Sequence, residues 1–376
     1  MLNVSEINTR DDFYNLKSEW NDLLLRSASN NIFLTWEWLF NWWNIFGQNK
    51  QLKILLVKDS NGVIGIAPLY IYNGSKGNQI ALLGSSHVGS DYLDLILEKG
   101  YERESMMRIL NYLNAGSGEW DAIYFNTISA ASSSVQIIED HFKHNSYSII
   151  KKHSNCPYIL LPVSFTLFMN SLSSNMRYNI NRKRSRFEKD LKGEFIVIKE
   201  KNELNNSIEE LIRLNMSRTG MKNIYSPFSD KHFTQFHKEF IMSVFDRGWV
   251  KLCFLKIRSE LIACIYIFRY GNKYYYYQSG FNTKWEKLSP GFLLFSYSIE
   301  NAISDGMYEF DFLQGAEDYK FNWTKSARPS VLMTIYRKNF RNKVRFISEN
   351  ISAYSKSKIR ESLSRMGLYQ KNGYFE

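Results

Sequence analysis

Apolar residues recur along the chain with two kinds of spacing, and together these predict helices and strands over almost its whole length. Spacings of three and four residues predict amphipathic helices, whereas short continuous or alternating apolar runs predict strands. The predicted helices span 11–26, 36–46, 106–113, 134–142, 167–172, 174–191, 205–217, 231–245, 290–304 and 339–366. The predicted strands span 52–57, 63–72, 80–83, 92–97, 122–125, 146–151, 158–161, 195–198, 250–257, 261–270, 273–280, 308–313 and 331–336.

The two halves of the chain carry these elements in a similar order. Each half has helices, an antiparallel hairpin, a helix and a strand, and the first hairpin turns at Asp59-Ser60-Asn61-Gly62. This order predicts an α+β fold of two related domains, with mixed, mostly antiparallel sheets flanked by helices. The predicted domains are 1–160 and 161–338, followed by a basic helical tail over 339–376.

Several classes of protein are disfavoured by what the sequence does not contain. No apolar run approaches the roughly 18 to 20 residues that a membrane span needs, and Leu261 to Phe268 has only strand length. The first residues lack a basic segment followed by an apolar one, so no secretory signal is expected. The scattered Cys156, Cys253 and Cys264 fit a reducing cytosol, and the histidines show no metal-ligand spacing. We therefore expect a cytoplasmic protein without a metal.

The formal net charge of +11 favours an acidic partner, and the positive charge is concentrated in two segments. The tail from Arg337 to Glu376 holds ten Lys or Arg residues against three Glu residues. A second cluster lies between Arg177 and Lys192 and is opposed only by Glu188 and Asp190. Phosphates on nucleic acid, lipid headgroups or nucleotide-linked substrates are the usual targets of such clusters, and solvated helix faces are the alternative interpretation.

The sequence Ser289-Pro290-Gly291 predicts the start of a helix. Serine is favoured as the N-cap and proline as the first helical residue. The free N–H groups and the positive dipole at such a start suit a phosphate, although many helices begin with Ser-Pro and bind nothing.

A strand predicted over 308–313 ends near Gly315 and carries several ionisable side chains into one short loop. Glycine tolerates backbone angles that would end the strand at little cost. The ionisable residues of the strand and its loop are Asp311, Glu317, Tyr319 and Lys320. A strand end with such groups, beside a helix start that suits phosphate, indicates acyl transfer from a phosphate-bearing carrier.

The hairpin, the helix after it and the following strand resemble the GNAT superfamily of acyltransferases. The resemblance implies that the diphosphate of coenzyme A lies on the helix start, at Leu288, Ser289, Pro290, Gly291 and Phe292. The segment 284–291, Lys-Trp-Glu-Lys-Leu-Ser-Pro-Gly, departs from the Arg/Gln-x-x-Gly-x-Gly/Ala loop that is usual in that superfamily. Aminoacyl-tRNA or another carrier therefore stays open as the donor.

Further segments resemble the cellulose-biosynthesis (CelD-type) acetyltransferase-like family. They are the aromatic helix Phe33 to Trp43, Gly65-Ile66-Ala67-Pro68-Leu69, Asp91-Tyr92-Leu93-Asp94, the basic helix Arg177 to Arg186, and Phe310-Asp311-Phe312 with Gly315, Glu317, Tyr319-Lys320 and Trp323. The match covers about residues 10 to 340. It implies tandem GNAT folds related to the Fem-type aminoacyl transferases, which have a lysine after the same strand, and so favours Lys320 as a catalytic residue.

Acyl transfer needs a base for the nucleophile's proton and positive charge for the developing oxyanion, and the loop offers both. Lys320 is predicted to supply the charge or bind a phosphate, Asp311 or Glu317 to take the proton, and Tyr319 to protonate the leaving group. The alternatives are a backbone hydrogen bond for Asp311, a surface ion pair for Glu317 and core packing for Tyr319. The predicted substrate-binding residues are Arg177, Arg182 and Gln278.

Asp91 and Asp94 are expected on a strand, three residues apart and so on opposite faces, which excludes an acid–base pair on one surface.

The hypothesis is an acyltransferase that moves acetyl from acetyl-CoA to an amino or hydroxyl group of a sugar-type acceptor in cell-surface polysaccharide synthesis. The acceptor is implied by the resemblance alone. The alternatives are aminoacyl transfer from charged tRNA, and an inactive scaffold that binds a glycan or a polysaccharide synthase. The tail could hold the protein at the inner face of an anionic membrane or dock on the domain itself. The rough apolar stripe of the tail comprises Val344, Ile347, Ile351, Tyr354 and Ile359.

Overall fold

The computed structural model describes residues 2–74, 77–143, 147–221 and 224–337, and within them the chain forms two compact units. The first unit contains 2–155, 315–317 and 328–337, and the second contains 156–314 and 318–327. The predicted tail helix over 339–366, and the tail over 339–376, lie outside the described residues.

The first unit is built on a mostly antiparallel sheet with the strand order β1-β2-β3-β4-β6-β13, and β5 pairs with β3. Only the β4–β6 pair is parallel among the pairs described in this unit. The strands are β1 Asn3–Ile7, β2 Lys50–Lys58, β3 Val63–Gly74, β4 Gly77–Leu82, β5 Ile96–Leu97, β6 Ala122–Ser129 and β13 Ala327–Arg337. The predicted β2–β3 hairpin is confirmed, with Leu55 opposite Ala67.

Aromatic helices complete the core of the first unit. Trp38 and Trp42 are fully buried, and the Trp42 ring lies 5.1 Å from that of Tyr70 on the sheet. Buried indole N–H groups usually find an acceptor, and Trp38 donates to Ser90 Oγ at 2.9 Å. The helices are α1 Arg10–Asn15, α2 Lys17–Arg26, α3 Trp36–Phe46, α4 Glu102–Ala115 and α5 Ser133–Lys143.

The second unit has the strand order β7-β12-β11-β10-β9-β8. Its three long strands form two hairpins, as their alternating apolar residues and tight polar turns predict, and β11 then pairs in parallel with β12. The strands are β7 Tyr147–Leu160, whose last five residues belong to this unit, β8 Gly193–Val197, β9 Val250–Ile257, β10 Glu260–Tyr270, β11 Lys273–Phe281 and β12 Glu309–Asp311.

Helices lie against the sheet of the second unit and bury its apolar side chains. Gly280 of β11 allows α8 to approach closely, because a Cβ there would lie 2.2 Å from the backbone nitrogen of Asn215. The helices are α6 Phe165–Ser171, α7 Ser174–Ser185, α8 Leu204–Met221, α9 Lys231–Val244, α10 Pro290–Ser304 and α11 Asp318–Phe321. A π-helical turn at Arg186–Asp190 continues α7, and a 3-10 helix at Thr283–Leu288 precedes α10.

The strand predicted over 92–97 is wrong, because only Ile96–Leu97 pair as a strand. Tyr92 has φ 54°, a left-handed conformation that does not continue a pleated strand. In the loop that replaces the strand, Asp94 is buried and accepts a hydrogen bond from Ser132 Oγ at 2.5 Å. Burial raises the pKa of the Asp94 carboxyl.

Two further predictions are corrected by the backbone pairing. Sequence order assigns 328–337 to the second domain, but β13 pairs with β6, so these residues belong to the first unit. The strand predicted over 308–313 is shorter, since only Glu309–Asp311 pair. All three of these residues are buried, as expected for a strand with neighbours on both sides and helices against the sheet.

Among the described residues, none of the helices combines the length and the apolar character that crossing a bilayer requires.

Candidate functional site

The first element of the site is the start of α10. Ser289 is its N-cap and Pro290 its first residue, as predicted from the sequence. Ser289 is left-handed, with φ 56° and ψ 58°, and its hydroxyl does not cap the helix. Helix starts leave backbone N–H groups without intrahelical acceptors, so this end presents partial positive charge without the usual side-chain acceptor.

A lysine from another helix lies at this positive helix end. Lys183 Nζ of α7 donates to Ser289 Oγ at 2.7 Å and lies 5.6 Å from the centre of the Phe292 ring. Burial, followed by the charges of Arg182 and Arg186, lowers the pKa of the Lys183 ammonium. Among the described residues, no carboxylate forms an ion pair with it. A cation beside a helix N-terminus is electrostatically unfavourable unless an anion joins them.

The packing of α7 on α10 fixes this lysine in place. Ile180 and Phe187 of the basic segment are fully buried, and Lys183 and Arg184 lie between them on the same helix face. Arg184 donates to Ser296 Oγ of α10 at 2.7 Å, and its guanidinium lies 4.1 Å from the centre of the Tyr297 ring. The two helices are therefore held together immediately beside the candidate anion site.

Space for a ligand exists at the same helix end. A Cβ added at Gly291 would meet no atom within 4 Å, and the φ of this residue is compatible with any side chain. Phe292 N–H donates to the Ser289 carbonyl at 3.0 Å, a 3-10 bond that tightens the first turn. The helix start is thus open on the side of Gly291, where a phosphate would approach the backbone.

The second element is the point at which two parallel strands separate. The β11–β12 pairing ends at Tyr275 opposite Asp311, whereas β11 continues to Phe281. In parallel α/β sheets, ligands bind beyond the carboxyl ends of the strands, and β11 and β12 form a parallel pair within this otherwise mostly antiparallel sheet. The segment that follows β12 lies at the carboxyl end of that pair.

Asp311 and Lys320 meet in this segment around a single residue, Leu313. Asp311 Oδ1 accepts the Leu313 N–H at 2.7 Å, and Lys320 Nζ lies 3.5 Å from the Leu313 carbonyl and 2.9 Å from that of Gln314. Leu313 has φ 58°, and the two side chains hold it in this left-handed conformation. Both side chains are buried, and each binds backbone groups of this loop.

Aromatic packing brings the segment with Lys320 to the start of α10. The Trp323 ring lies 4.9 Å from that of Phe292, which in turn contacts Lys183. The Tyr319 ring stacks on that of Phe295 at a centroid distance of 5.8 Å, although 36% of the residue is exposed. The two elements therefore share one aromatic cluster within the second unit.

The other residues predicted for the site take different positions. Arg177 donates to the Asn170 and Leu172 carbonyls and so caps the end of α6. Arg182 is exposed and lies 6.0 Å from the centre of the Tyr178 ring.

Gln278 and Glu317 also have defined surroundings. Gln278 Oε1, on the part of β11 beyond its pairing with β12, accepts from Asn215 Nδ2 at 3.2 Å. Glu317 belongs to the first unit, and its carboxylate lies beside Gly315. Roles for these residues in binding or catalysis stay predictions.

Lys183 is the site residue that sequence reasoning missed. From the sequence, Lys183 is identified only as a member of the basic cluster, although the sequence also indicates that its side chain faces the protein core. Ile180, Lys183, Arg184 and Phe187 have the i, i+3, i+4, i+7 spacing of one helix face. Because the apolar members of that stripe face the core, the two cations between them also face inward.

Within the described parts of the chain, no group of three or more His, Cys, Asp or Glu side chains could hold a metal ion.

A model of a known protein family matches the part of the chain that contains this site. The family model described as "Acetyltransferase (GNAT) domain" matches residues 174–321, from the start of α7 to the end of α11. The match contains Lys183, Ser289, Asp311 and Lys320. No curated protein matches the sequence.

Solved structures show the same fold over nearly the whole chain. The crystal structure of FemX aligns with a TM-score of 0.60 and 10% identity, over 88% of this chain and 96% of its own. The C-terminal domain of a putative lysylphosphatidylglycerol synthetase from Agrobacterium fabrum aligns with a TM-score of 0.54 and 10% identity, over 87% and 92%. L-PGS from Bacillus licheniformis aligns with a TM-score of 0.54 and 12% identity, over 88% and 94%.

The structure confirms the predicted α+β class, with mixed, mostly antiparallel sheets flanked by helices, and the GNAT domain model covers the greater part of the second unit. These findings also support the predicted relationship to GNAT and Fem-type proteins at the level of fold. The narrower assignment to the CelD-type family stays a prediction.

Proposed function

We propose that the protein is an acyltransferase whose donor is held by its phosphate at the start of α10. The observation that carries the proposal is the Lys183 ammonium, 2.7 Å from Ser289 Oγ at the positive end of a helix, without a carboxylate partner in the described chain. A phosphate there would accept from the Lys183 ammonium and from the backbone N–H of Gly291. It would also relieve the repulsion between the lysine and the helix dipole.

The reacting carbonyl of the donor is proposed to lie near the end of β12. The acceptor's amine or hydroxyl attacks that carbonyl, Asp311 or Glu317 takes its proton directly or through water, and the carrier leaves. Lys320 brings positive charge to the strand end for the developing oxyanion, and Tyr319 is proposed to protonate the leaving group. The buried Lys320–Gln314 contact of 2.9 Å keeps this charge in place before the substrate arrives.

The donor we favour is acetyl-CoA, since its diphosphate matches the anion site and the family model over 174–321 is that of an acetyltransferase domain. The acceptor is proposed to be an amino group or hydroxyl of a sugar or sugar-linked precursor of a cell-surface polysaccharide, on the resemblance to the CelD-type family. This proposal places the protein in the cytoplasm or at the inner face of the membrane.

Aminoacyl transfer from charged tRNA is the second candidate. Its support is the fold likeness to FemX and the exposed basic residues Arg182, Arg186 and Lys189, because a phosphate of the tRNA backbone would bind at the same anion site. The segment 284–291 also departs from the Arg/Gln-x-x-Gly-x-Gly/Ala loop that is usual in GNAT proteins.

Calorimetric titration with acetyl-CoA, coenzyme A and a charged tRNA separates these candidates. The blocking variant is Gly291→Trp, whose side chain fills the open space at the helix start. Gly118→Trp is the matched control, because a Cβ there also meets nothing within 4 Å. We expect micromolar coenzyme A binding that is lost in Gly291→Trp and kept in Gly118→Trp. Salt-dependent tRNA binding without coenzyme A binding would favour aminoacyl transfer, and no binding of either would favour the inactive scaffold.

A further inference from the structure

Large apolar side chains are exposed around the start of α6 in the second unit. Val163 is 92% exposed, Leu160 53% and Leu167 50%, and Tyr308 is 61% exposed. Leu160 and Tyr308 are neighbours, since Leu160 pairs with Glu309 and the next residue donates to the Tyr308 carbonyl at 2.9 Å. Val163 and Leu167 follow Leu160 closely in the chain, before and within α6. Single exposed apolar residues are ordinary, but a group of them marks an interaction surface.

Basic residues continue this surface along α7. Arg177 caps the end of α6 and so holds the start of α7 against it. Tyr178, 63% exposed, begins a stripe that continues through Arg182, Arg186 and Lys189, all exposed. Tyr178, Arg182 and Arg186 follow one another at four-residue spacing and therefore lie on one side of the helix. Lys189 lies in the π-helical turn Arg186–Asp190 that continues it. We call the combined surface the α6–α7 face; its members are Leu160, Val163, Leu167, Tyr178, Arg182, Arg186, Lys189 and Tyr308.

The chemistry of the α6–α7 face identifies its partner. The basic stripe requires an anionic partner, which excludes the protein's own tail with its ten basic and three acidic residues. Nucleic acid would use the charges and the tyrosines, but it offers nothing to aliphatic side chains such as Val163 and Leu167. An anionic bilayer accepts all three kinds of residue, because aliphatic groups enter the acyl boundary, tyrosines lie at headgroup level and cations bind the headgroups.

We propose that the α6–α7 face docks the protein on the surface of an anionic lipid bilayer, with Val163 and Leu167 entering the interface and the α7 stripe on the headgroups. The inference does not depend on the acyltransferase proposal, because binding to vesicles tests it without any measurement of acyl transfer.

Vesicle sedimentation of the full chain tests the apolar part of the proposal. The probes are vesicles of phosphatidylcholine with and without phosphatidylglycerol. The variant Val163→Gln/Leu167→Gln removes the aliphatic residues without changing charge. Its matched control is Tyr14→Gln/Leu25→Gln, which removes two exposed apolar residues of the first unit. We expect binding only with phosphatidylglycerol, about tenfold weaker in the α6–α7 variant and within about twofold of wild type in the control.

A charge-reversal pair tests the basic part. Arg182→Glu/Arg186→Glu is expected to weaken binding by about tenfold or more. Lys99→Glu/Arg103→Glu makes the same charge change at exposed positions of the first unit and is expected to weaken binding much less. Unaltered binding by the aliphatic variant would overturn the proposal, since charge alone would then explain attachment. Loss of tRNA binding in Arg182→Glu/Arg186→Glu with unchanged vesicle binding would assign the stripe to RNA instead.

Discussion

Replacing Lys183 by methionine should separate ligand binding from folding. The side chain keeps its length but loses the ammonium that lies 2.7 Å from Ser289 Oγ. Two unit charges about 4 Å apart interact by roughly 4 kcal/mol at an effective dielectric constant of about 20. Because Lys183 is part exposed, we take the smaller range of about 1.5 to 3 kcal/mol found for hydrogen bonds to charged groups. This corresponds to roughly 10- to 100-fold weaker coenzyme A binding.

The stability of the unliganded protein should change little in Lys183→Met. The variant loses a hydrogen bond worth about 1 kcal/mol and a cation–π contact with Phe292 worth about 0.5 to 1 kcal/mol. It also removes a part-buried cation from a positive helix end, which offsets about 0.3 to 1 kcal/mol of this loss. We therefore expect the free energy of unfolding, measured in urea, to fall by only about 0.5 to 1.7 kcal/mol.

The pH dependence of binding adds a signature that a purely structural lysine would not give. Burial and neighbouring arginines lower the pKa of Lys183 in the free protein, whereas a bound phosphate would raise it. Affinity should therefore fall as the pH rises through the free-protein pKa of Lys183, and this fall should be absent from Lys183→Met. Lys189→Met, at an exposed position of the same basic segment, is the control and should bind within about twofold of wild type. Wild-type affinity in Lys183→Met, or its unfolding in place of a binding defect, would refute the reasoning.

Three further predictions concern the second unit. Gly280→Ala should lower the free energy of unfolding by about 2 to 4 kcal/mol, because its Cβ would lie 2.2 Å from the Asn215 nitrogen. Gly220→Ala is the control: its Cβ meets nothing within 4 Å, so the free energy of unfolding should change by less than about 1 kcal/mol. Urea denaturation of both variants checks this. Burial lowers the pKa of His237 from 6.5 to about 3. Between these two pH values His237 is protonated in the unfolded chain but neutral in the folded protein, so the free energy of unfolding should decrease as the pH falls from 6.5 to 3. Between pH 7 and 5 the His237 share is roughly 2 kcal/mol, and His237→Gln should lack it; equal pH slopes for both proteins would contradict the assignment. Lys320→Ala should slow coenzyme A release from acetyl-CoA, with glucosamine as the acceptor probe, by at least about 100-fold, and full activity in a folded variant would exclude Lys320 from catalysis.

The elements with strong periodicity could be predicted from the sequence alone. The β2–β3 hairpin, the three strands β9 to β11 and the Ser-Pro start of α10 all depend on local spacing and turn residues, and they appear where expected. Local signals failed where the backbone takes an unusual conformation. Apolar residues over 92–97 look like a strand, but left-handed Tyr92 interrupts it.

The candidate site was only partly predictable, because its contacts join distant parts of the sequence. The helix start and Asp311 were identified locally, whereas the Lys183–Ser289 contact spans 106 positions. The sequence could show that Lys183 faces inward, between buried Ile180 and Phe187, but not that α7 packs on the start of α10. Likewise, the pairing of β13 with β6 in the first unit depends on long-range pairing that sequence order conceals.

The most direct test of the central claim is calorimetric titration of the wild-type protein with coenzyme A and, in parallel, with pantetheine, which shares the thiol arm but lacks the phosphates. If Lys183 and the start of α10 hold a donor phosphate, coenzyme A should bind with micromolar affinity and pantetheine should give no measurable heat. Equal binding of both compounds, or no binding of coenzyme A and of charged tRNA alike, would contradict a phosphate site at this helix.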